Sequence, residues 1–73
     1  MPEGPSSDQV VKVLLNHGFE FVQQRGSHAK YRSPAGADGR PARTVIVPTG
    51  RRNLAIGTFR SICRQASLQP TDF

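Results

Sequence analysis

A histidine followed by two cations is the segment of this sequence best suited to chemistry. His28, Lys30 and Arg32 occupy alternate positions, so in a β-strand their side chains would share one face. An imidazole titrates near neutral pH and moves protons, while Lys and Arg stabilise negative charge on a phosphate. The combination suits RNA cleavage, in which a 2′-hydroxyl attacks its own phosphate. The alternative is that His28 is an ordinary polar residue on a solvated strand.

The other residues with reactive side chains do not predict a second catalytic site. His17 falls at the end of a predicted helix, where positive charge is favoured, and Cys63 falls on an apolar helix face. Tyr31 is expected to face the core rather than to stack on RNA. Glu20 and Asp38 each stand alone, so metal chemistry on clustered carboxylates is not expected. We therefore predict no metal and no cofactor.

The positive charge is concentrated in one stretch of the chain. The formal net charge is +5, and the stretch from Arg25 to Arg64 holds nine basic residues and one acid. A basic surface of this kind suits a polyanion, which could be nucleic acid, anionic lipid or an acidic protein. The candidates for RNA binding are Lys30, Arg32, Arg51 and Arg52. The first two share the predicted face of His28, and the last two lie on a nearby loop.

Length and composition indicate a single small domain. The chain has 73 residues and one cysteine, so it cannot form an intramolecular disulfide. The single cysteine is consistent with a protein of a reducing compartment. No apolar run approaches the roughly 20 residues that span a bilayer. The N-terminal residues do not resemble a signal peptide. We expect a cytoplasmic protein with no membrane partner.

Two helices are predicted at the ends of the chain. Ser6 and Gln9 have the spacing of a capping box, which predicts a helix over residues 7–17 that stops at Gly18. Near the C-terminus, Thr58 is a candidate helix cap and Pro70 a candidate stop. The apolar face of this second helix repeats at i, i+3, i+4 and i+7 and consists of Phe59, Ile62, Cys63 and Ala66.

Three strands are predicted between the helices. The first covers residues 19–25, with Phe19 and Phe21 on one face, and a Gly26-Ser27 turn leads into the second at 28–33. A Pro- and Gly-containing loop over 34–41 precedes the β-branched third strand at 43–47.

This order predicts an α+β fold with the sequence α-β-β-β-α. Consecutive strands with short connections favour a three-stranded antiparallel sheet, and both helices must cover one face of it. We expect residues 1–5 to be disordered and residues 6–73 to form the single domain.

Several motifs resemble the HicA family of toxins. They are Gly18-Phe19, the run from Gly26 to Tyr31, the run from Val45 to Pro48, and the run from Gly57 to Ala66. The second resembles the family's GSHxxY signature, and the last resembles its GT(L/F)xxILxQAG helix. The resemblance covers about residues 8–73, with the motifs in the family's order.

This resemblance implies a fold similar to the double-stranded-RNA-binding domain, together with a toxin function. It implies that the chain is the toxin of a type II toxin–antitoxin system and is neutralised by a HicB-like antitoxin. It also implies that the toxin cleaves mRNA without a metal and that His28 is its catalytic residue. Many relatives carry a His two residues after the Val-Pro dipeptide, where this chain has Gly50. Any supporting role of that His is absent here or falls to Arg51 or Arg52.

Three functions are compatible with these observations. The chain is an endoribonuclease, a non-catalytic RNA-binding module of the same fold, or a protein-interaction domain whose basic face meets an acidic partner. A requirement for His28 separates the first from the second. A steep dependence of affinity on salt separates the second from the third.

Overall fold

The elements follow the predicted order α-β-β-β-α. The computed structural model describes residues 4–36 and 39–73. Its elements are α1 (Ser7–Asn16), β1 (Glu20–Arg25), β2 (His28–Ser33), β3 (Arg43–Pro48) and α2 (Ile56–Ala66), followed by a 3₁₀ turn over Pro70–Asp72. The α+β class is therefore confirmed. Within the predicted 34–41 loop, residues 37–38 lie outside the described residues, and the described remainder contains no helix or strand.

The three strands form one antiparallel sheet in the order β1-β2-β3. The two-residue turn between β1 and β2 is confirmed, and Gly26 adopts a φ of 55° there, which glycine accepts without strain. In this register His28 lies between Arg25 on β1 and Pro48 on β3. The pairing of β1 with β2 shifts by one residue between Phe21 and Gln23.

Both helices pack on the same face of the sheet. Alternate residues of β2 and β3 are buried on this face, namely Ala29, Tyr31, Val45 and Val47. They meet the apolar sides of the helices, which contribute Val10, Leu14, Phe59, Ile62, Cys63 and Ala66. The opposite face of the sheet is open, so the alternation along β2 directs His28, Lys30 and Arg32 away from the core.

The first helix begins as its sequence predicts. The Ser6 side chain accepts a hydrogen bond from Gln9 N at 3.1 Å, and the Gln9 side chain accepts one from Ser6 N at 2.8 Å. This is the expected capping box. The helix ends at Asn16, and Gly18 follows with a φ of 88°.

Both predicted ends of the second helix are wrong. It begins at Ile56, with Ala55 at the cap position and no side-chain capping bond, so Thr58 lies inside the first turn. The chain is already fixed before Thr58, because Leu54 is buried and hydrogen-bonded to the N-terminal segment. The helix ends at Ala66, where Ser67 adopts a φ of 56°, and Pro70 instead begins the 3₁₀ turn.

The N-terminal segment is more ordered than predicted. Gly4 N donates to Leu54 O at 2.9 Å, and Leu54 N donates to Pro5 O at the same distance. Gly4 is buried, and a Cβ atom there would lie 2.7 Å from Leu54 O. The prediction of disorder is therefore wrong for residues 4 and 5, and residues 1–3 lie outside the described part of the chain. No helix in the described ranges is long and apolar enough to span a bilayer.

Candidate active site

His28 is the first residue of β2 and lies at one end of the sheet. Its side chain is exposed, because its neighbour Ala29 turns towards the helices and is buried. The strand pairing brings Arg25 and Pro48 to either side of it. Beyond Pro48, Thr49 N donates to Ser27 O at 2.8 Å, so the loop that follows β3 starts beside the imidazole.

A cavity of about 460 Å³, here called the loop cavity, opens between His28 and the start of α2. Its polar lining consists of His28, Arg51, Asn53 and Thr58. The start of α2 has no side-chain cap, so its first amide N–H groups are free of a capping side chain and carry partial positive charge. The loop cavity thus combines an imidazole, a guanidinium and a helix N-terminus, an arrangement that suits an anion.

A second hollow of about 260 Å³, here called the sheet-face cavity, lies on the open face of the sheet. Its lining consists of Gln23, Arg25, His28, Lys30 and Ile46. His28 lines both cavities and forms the border between them. No carboxylate from the described residues lines either cavity.

Ser7 holds the loop cavity in shape. Its hydroxyl donates to Pro48 O at 2.6 Å and accepts from Arg51 N at 3.0 Å, and its own N–H donates to Arg51 O at 3.0 Å. Ser7 is 3% exposed, a polar residue buried beside the core. The start of α1 therefore fixes the backbone of Arg51 next to the strand that flanks His28.

The structure brings together three of the five residues predicted from the sequence. His28 lies with Arg51 in the loop cavity and with Lys30 in the sheet-face cavity. Arg32 shares the open face of the sheet with His28 but lies four residues further along β2, so their Cα atoms are about 13 Å apart. Arg32 lines a different hollow. Arg52 is exposed and lines neither cavity. Of the two residues after Gly50, Arg51 therefore lines a cavity together with His28 and Arg52 does not.

Sequence reasoning missed four residues around the site: Ser7, Arg25, Asn53 and Thr58. The position of Arg25 could have been predicted, because a two-residue turn at Gly26-Ser27 pairs the residue before the turn, Arg25, with the residue after it, His28. Asn53 lies on the loop over 49–55, Thr58 follows that loop in α2, and Ser7 bonds to it from α1. The path of this loop depends on contacts between distant parts of the chain, which local sequence does not reveal.

The remaining reactive groups lie elsewhere. His17 is at the C-terminal end of α1 and lines a hollow with Arg43 at the other end of the sheet. Cys63 is buried, and desolvation raises the pKa of its thiol, so it stays protonated. Burial likewise raises the pKa of the Tyr31 phenol. Among residues 4–36 and 39–73, no three His, Cys, Asp or Glu side chains are grouped to hold a metal.

Comparison with known proteins identifies one family. The model of the family described as the HicA toxin of bacterial toxin-antitoxin matches residues 7–68. A search of curated proteins found no match. The matched range contains both helices, all three strands and every polar residue of the loop cavity.

Proposed function

Because the chain belongs to the HicA toxin family of bacterial toxin–antitoxin systems, we propose that it cleaves mRNA as a metal-independent endoribonuclease with His28 as its catalytic residue. The observation that supports this proposal is the loop cavity, where His28 lies with Arg51 at an uncapped helix N-terminus. A phosphate of RNA would meet a proton-transfer group and two sources of positive charge in one hollow.

The proposed reaction uses the ribose as the nucleophile. His28 accepts the proton of the 2′-hydroxyl, and the 2′-oxygen bonds to the adjacent phosphorus. The bond from phosphorus to the 5′-oxygen then breaks, leaving a 2′,3′-cyclic phosphate, and the 5′-oxygen takes up a proton from water. The proton held by His28 returns to solvent, which restores the neutral imidazole. Negative charge grows on the phosphoryl oxygens at the transition state. Arg51 and the first amides of α2 stabilise that charge from the loop cavity.

RNA binding draws on a wider set of cations. Phosphate contacts give affinity that does not depend on sequence, and each one contributes to the salt dependence of binding. We assign this role to Lys30 and Arg51 next to His28. Arg32 and Arg52 contribute from outside the two cavities, with smaller effects.

The partner in this proposal is a HicB-like antitoxin. An acidic antitoxin surface would complement the same cations and cover His28. RNA and antitoxin would then exclude each other. We propose that the toxin acts in the cytoplasm, where mRNA is found.

Expression of the chain alone in bacteria tests this function. The wild-type chain should arrest growth, and His28→Ala should relieve the arrest. His17→Ala is the matched control, because it also removes an exposed imidazole but from the other end of the sheet, and it should remain toxic. Circular dichroism of the purified variants checks that each is folded.

Two outcomes would contradict the proposal. A folded His28→Ala variant that arrests growth as strongly as the wild type would remove His28 from the mechanism. RNA binding without any cleavage by the wild-type chain would instead support the non-catalytic RNA-binding module.

A further inference from the structure

We infer that the sheet-face cavity is a second RNA subsite, so that one RNA strand passes from the loop cavity over His28 onto the open face of the sheet. The inference rests on the proposed function and adds a binding site to it. Its central observation is that His28 borders two separate hollows. With the attacked phosphate in the loop cavity, the strand would continue over His28, and the sheet-face cavity would receive the neighbouring nucleotide.

The position of the cations supports this path. Arg25 lies directly opposite His28 on the neighbouring strand, and Lys30 is two residues along the same strand. All three side chains are on the open face, with adjacent strands about 5 Å apart. Arg25 and Lys30 therefore present positive charge immediately beyond the imidazole, where the next phosphate of a bound strand would lie.

The remaining lining of the sheet-face cavity suits a nucleotide rather than a lone anion. Gln23 offers an amide that can both donate to and accept from a base edge, and Ile46, 37% exposed, offers an apolar surface to a base or ribose. Lys30 is partly buried between them, which limits the conformations of its side chain. The ligand class that fits is an RNA strand with its phosphates towards Arg25 and Lys30.

Binding of uncleavable RNA tests the subsite without relying on catalysis. The probes are 2′-O-methyl oligonucleotides of two and six nucleotides, titrated by fluorescence anisotropy at several salt concentrations. Arg25→Gln should weaken binding of the six-nucleotide probe about tenfold, as expected for one lost hydrogen bond to a charged group. It should also lower the salt slope by about 0.7, the value for one phosphate contact on a single strand.

Arg64→Gln is the matched control. It makes the same change of charge at an exposed position in the last turn of α2. The loop cavity borders the first turn of α2, so Arg64 lies at the opposite end of the helix from it. It should leave affinity and salt slope close to those of the wild type. Equal weakening by Arg25→Gln and Arg64→Gln, or no weakening by Arg25→Gln, would overturn the subsite.

Parallel assays separate this inference from the proposed function. If the wild-type chain binds the probes as expected but never cleaves unmodified RNA, the proposed function fails and the binding subsite stands. If Arg25→Gln weakens binding of an acidic antitoxin but not of RNA, the sheet-face cavity is a protein-binding surface and the inference is wrong.

Discussion

The Ser7 hydroxyl joins the two chain segments that flank His28, and removing it should lower both stability and turnover. Its hydrogen bonds to Pro48 O and from Arg51 N are 2.6 and 3.0 Å long. Ser7→Ala leaves both backbone groups without these partners, and an unsatisfied buried group costs about 1–3 kcal/mol. Because the site is only part-buried, we expect a total loss of about 2–3 kcal/mol, which lowers the melting temperature of so small a domain by roughly 10–20 °C.

A neighbouring serine provides the control for this experiment. Ser6→Ala removes the 3.1 Å capping bond from Gln9 N, at a cost of about 1 kcal/mol, and leaves the contacts of Pro48 and Arg51 intact. Both variants should melt earlier by circular dichroism. At a temperature where both are folded, Ser7→Ala should lower kcat for RNA cleavage about tenfold. Arg51 is then held to Ser7 only by the bond from Ser7 N to Arg51 O, and Pro48 O loses the Ser7 hydroxyl, so Arg51 is positioned less firmly beside His28. Ser6→Ala should keep the wild-type kcat. A folded Ser7→Ala variant with unchanged kcat would refute the positioning role.

Arg51, Gly4 and Cys63 each provide a further test. Arg51→Gln should lower kcat/KM for RNA cleavage about a hundredfold, as for one lost transition-state donor. Arg52→Gln should change kcat/KM little, because Arg52 lines neither cavity. Equal effects of the two substitutions would contradict this assignment. Gly4→Ala should lower the free energy of unfolding in urea by about 1–3 kcal/mol, because its Cβ would lie 2.7 Å from Leu54 O; an unchanged midpoint would mean that the N-terminal pairing is unimportant. Burial raises the pKa of the Cys63 thiol above its ordinary 9.0. As pH rises above 9.0 the unfolded chain therefore releases this proton before the folded chain does, and the free energy of unfolding should fall. Cys63→Ala should remove part of this fall.

Local patterns in the sequence were sufficient for the features that depend on neighbouring residues. The capping box of Ser6, the Gly26-Ser27 turn and the alternation along β2 each involve residues a few positions apart. Alternation alone placed His28 and Lys30 on the open face. These features required no knowledge of the tertiary structure, because hydrogen bonds between near neighbours or the alternation of side chains along a strand determine them.

Features that depend on distant contacts could not be read in the same way. Phe19 is buried, but Phe21 stays 55% exposed and only meets Tyr31 edge-on, because the two helices pack against β3 and leave β1, at the opposite edge of the sheet, less covered. The start of α2 depends on the pairing of Leu54 with the N-terminal segment. A capping preference such as that of Thr58 is worth about 1 kcal/mol, so tertiary packing overrides it.

The choice between Arg51 and Arg52 shows the same limit within the site. Both are adjacent cations on one loop, and nothing in their spacing distinguishes them. The distinction comes from Ser7, 44 residues earlier in the chain, whose hydroxyl fixes the Arg51 backbone. The partners of a loop residue at this separation are set by the folded structure rather than by local sequence.

The most direct test of the proposed mechanism is cleavage of an end-labelled RNA by the purified chain in excess EDTA, with the wild type compared with His28→Ala. The wild-type chain should produce fragments with 2′,3′-cyclic phosphate or 3′-phosphate ends and 5′-hydroxyl ends. His28→Ala should produce none, while its affinity for uncleavable RNA stays close to that of the wild type. Equal cleavage by the variant, or wild-type cleavage that disappears in EDTA and returns with magnesium, would contradict the assignment of a metal-independent reaction to His28.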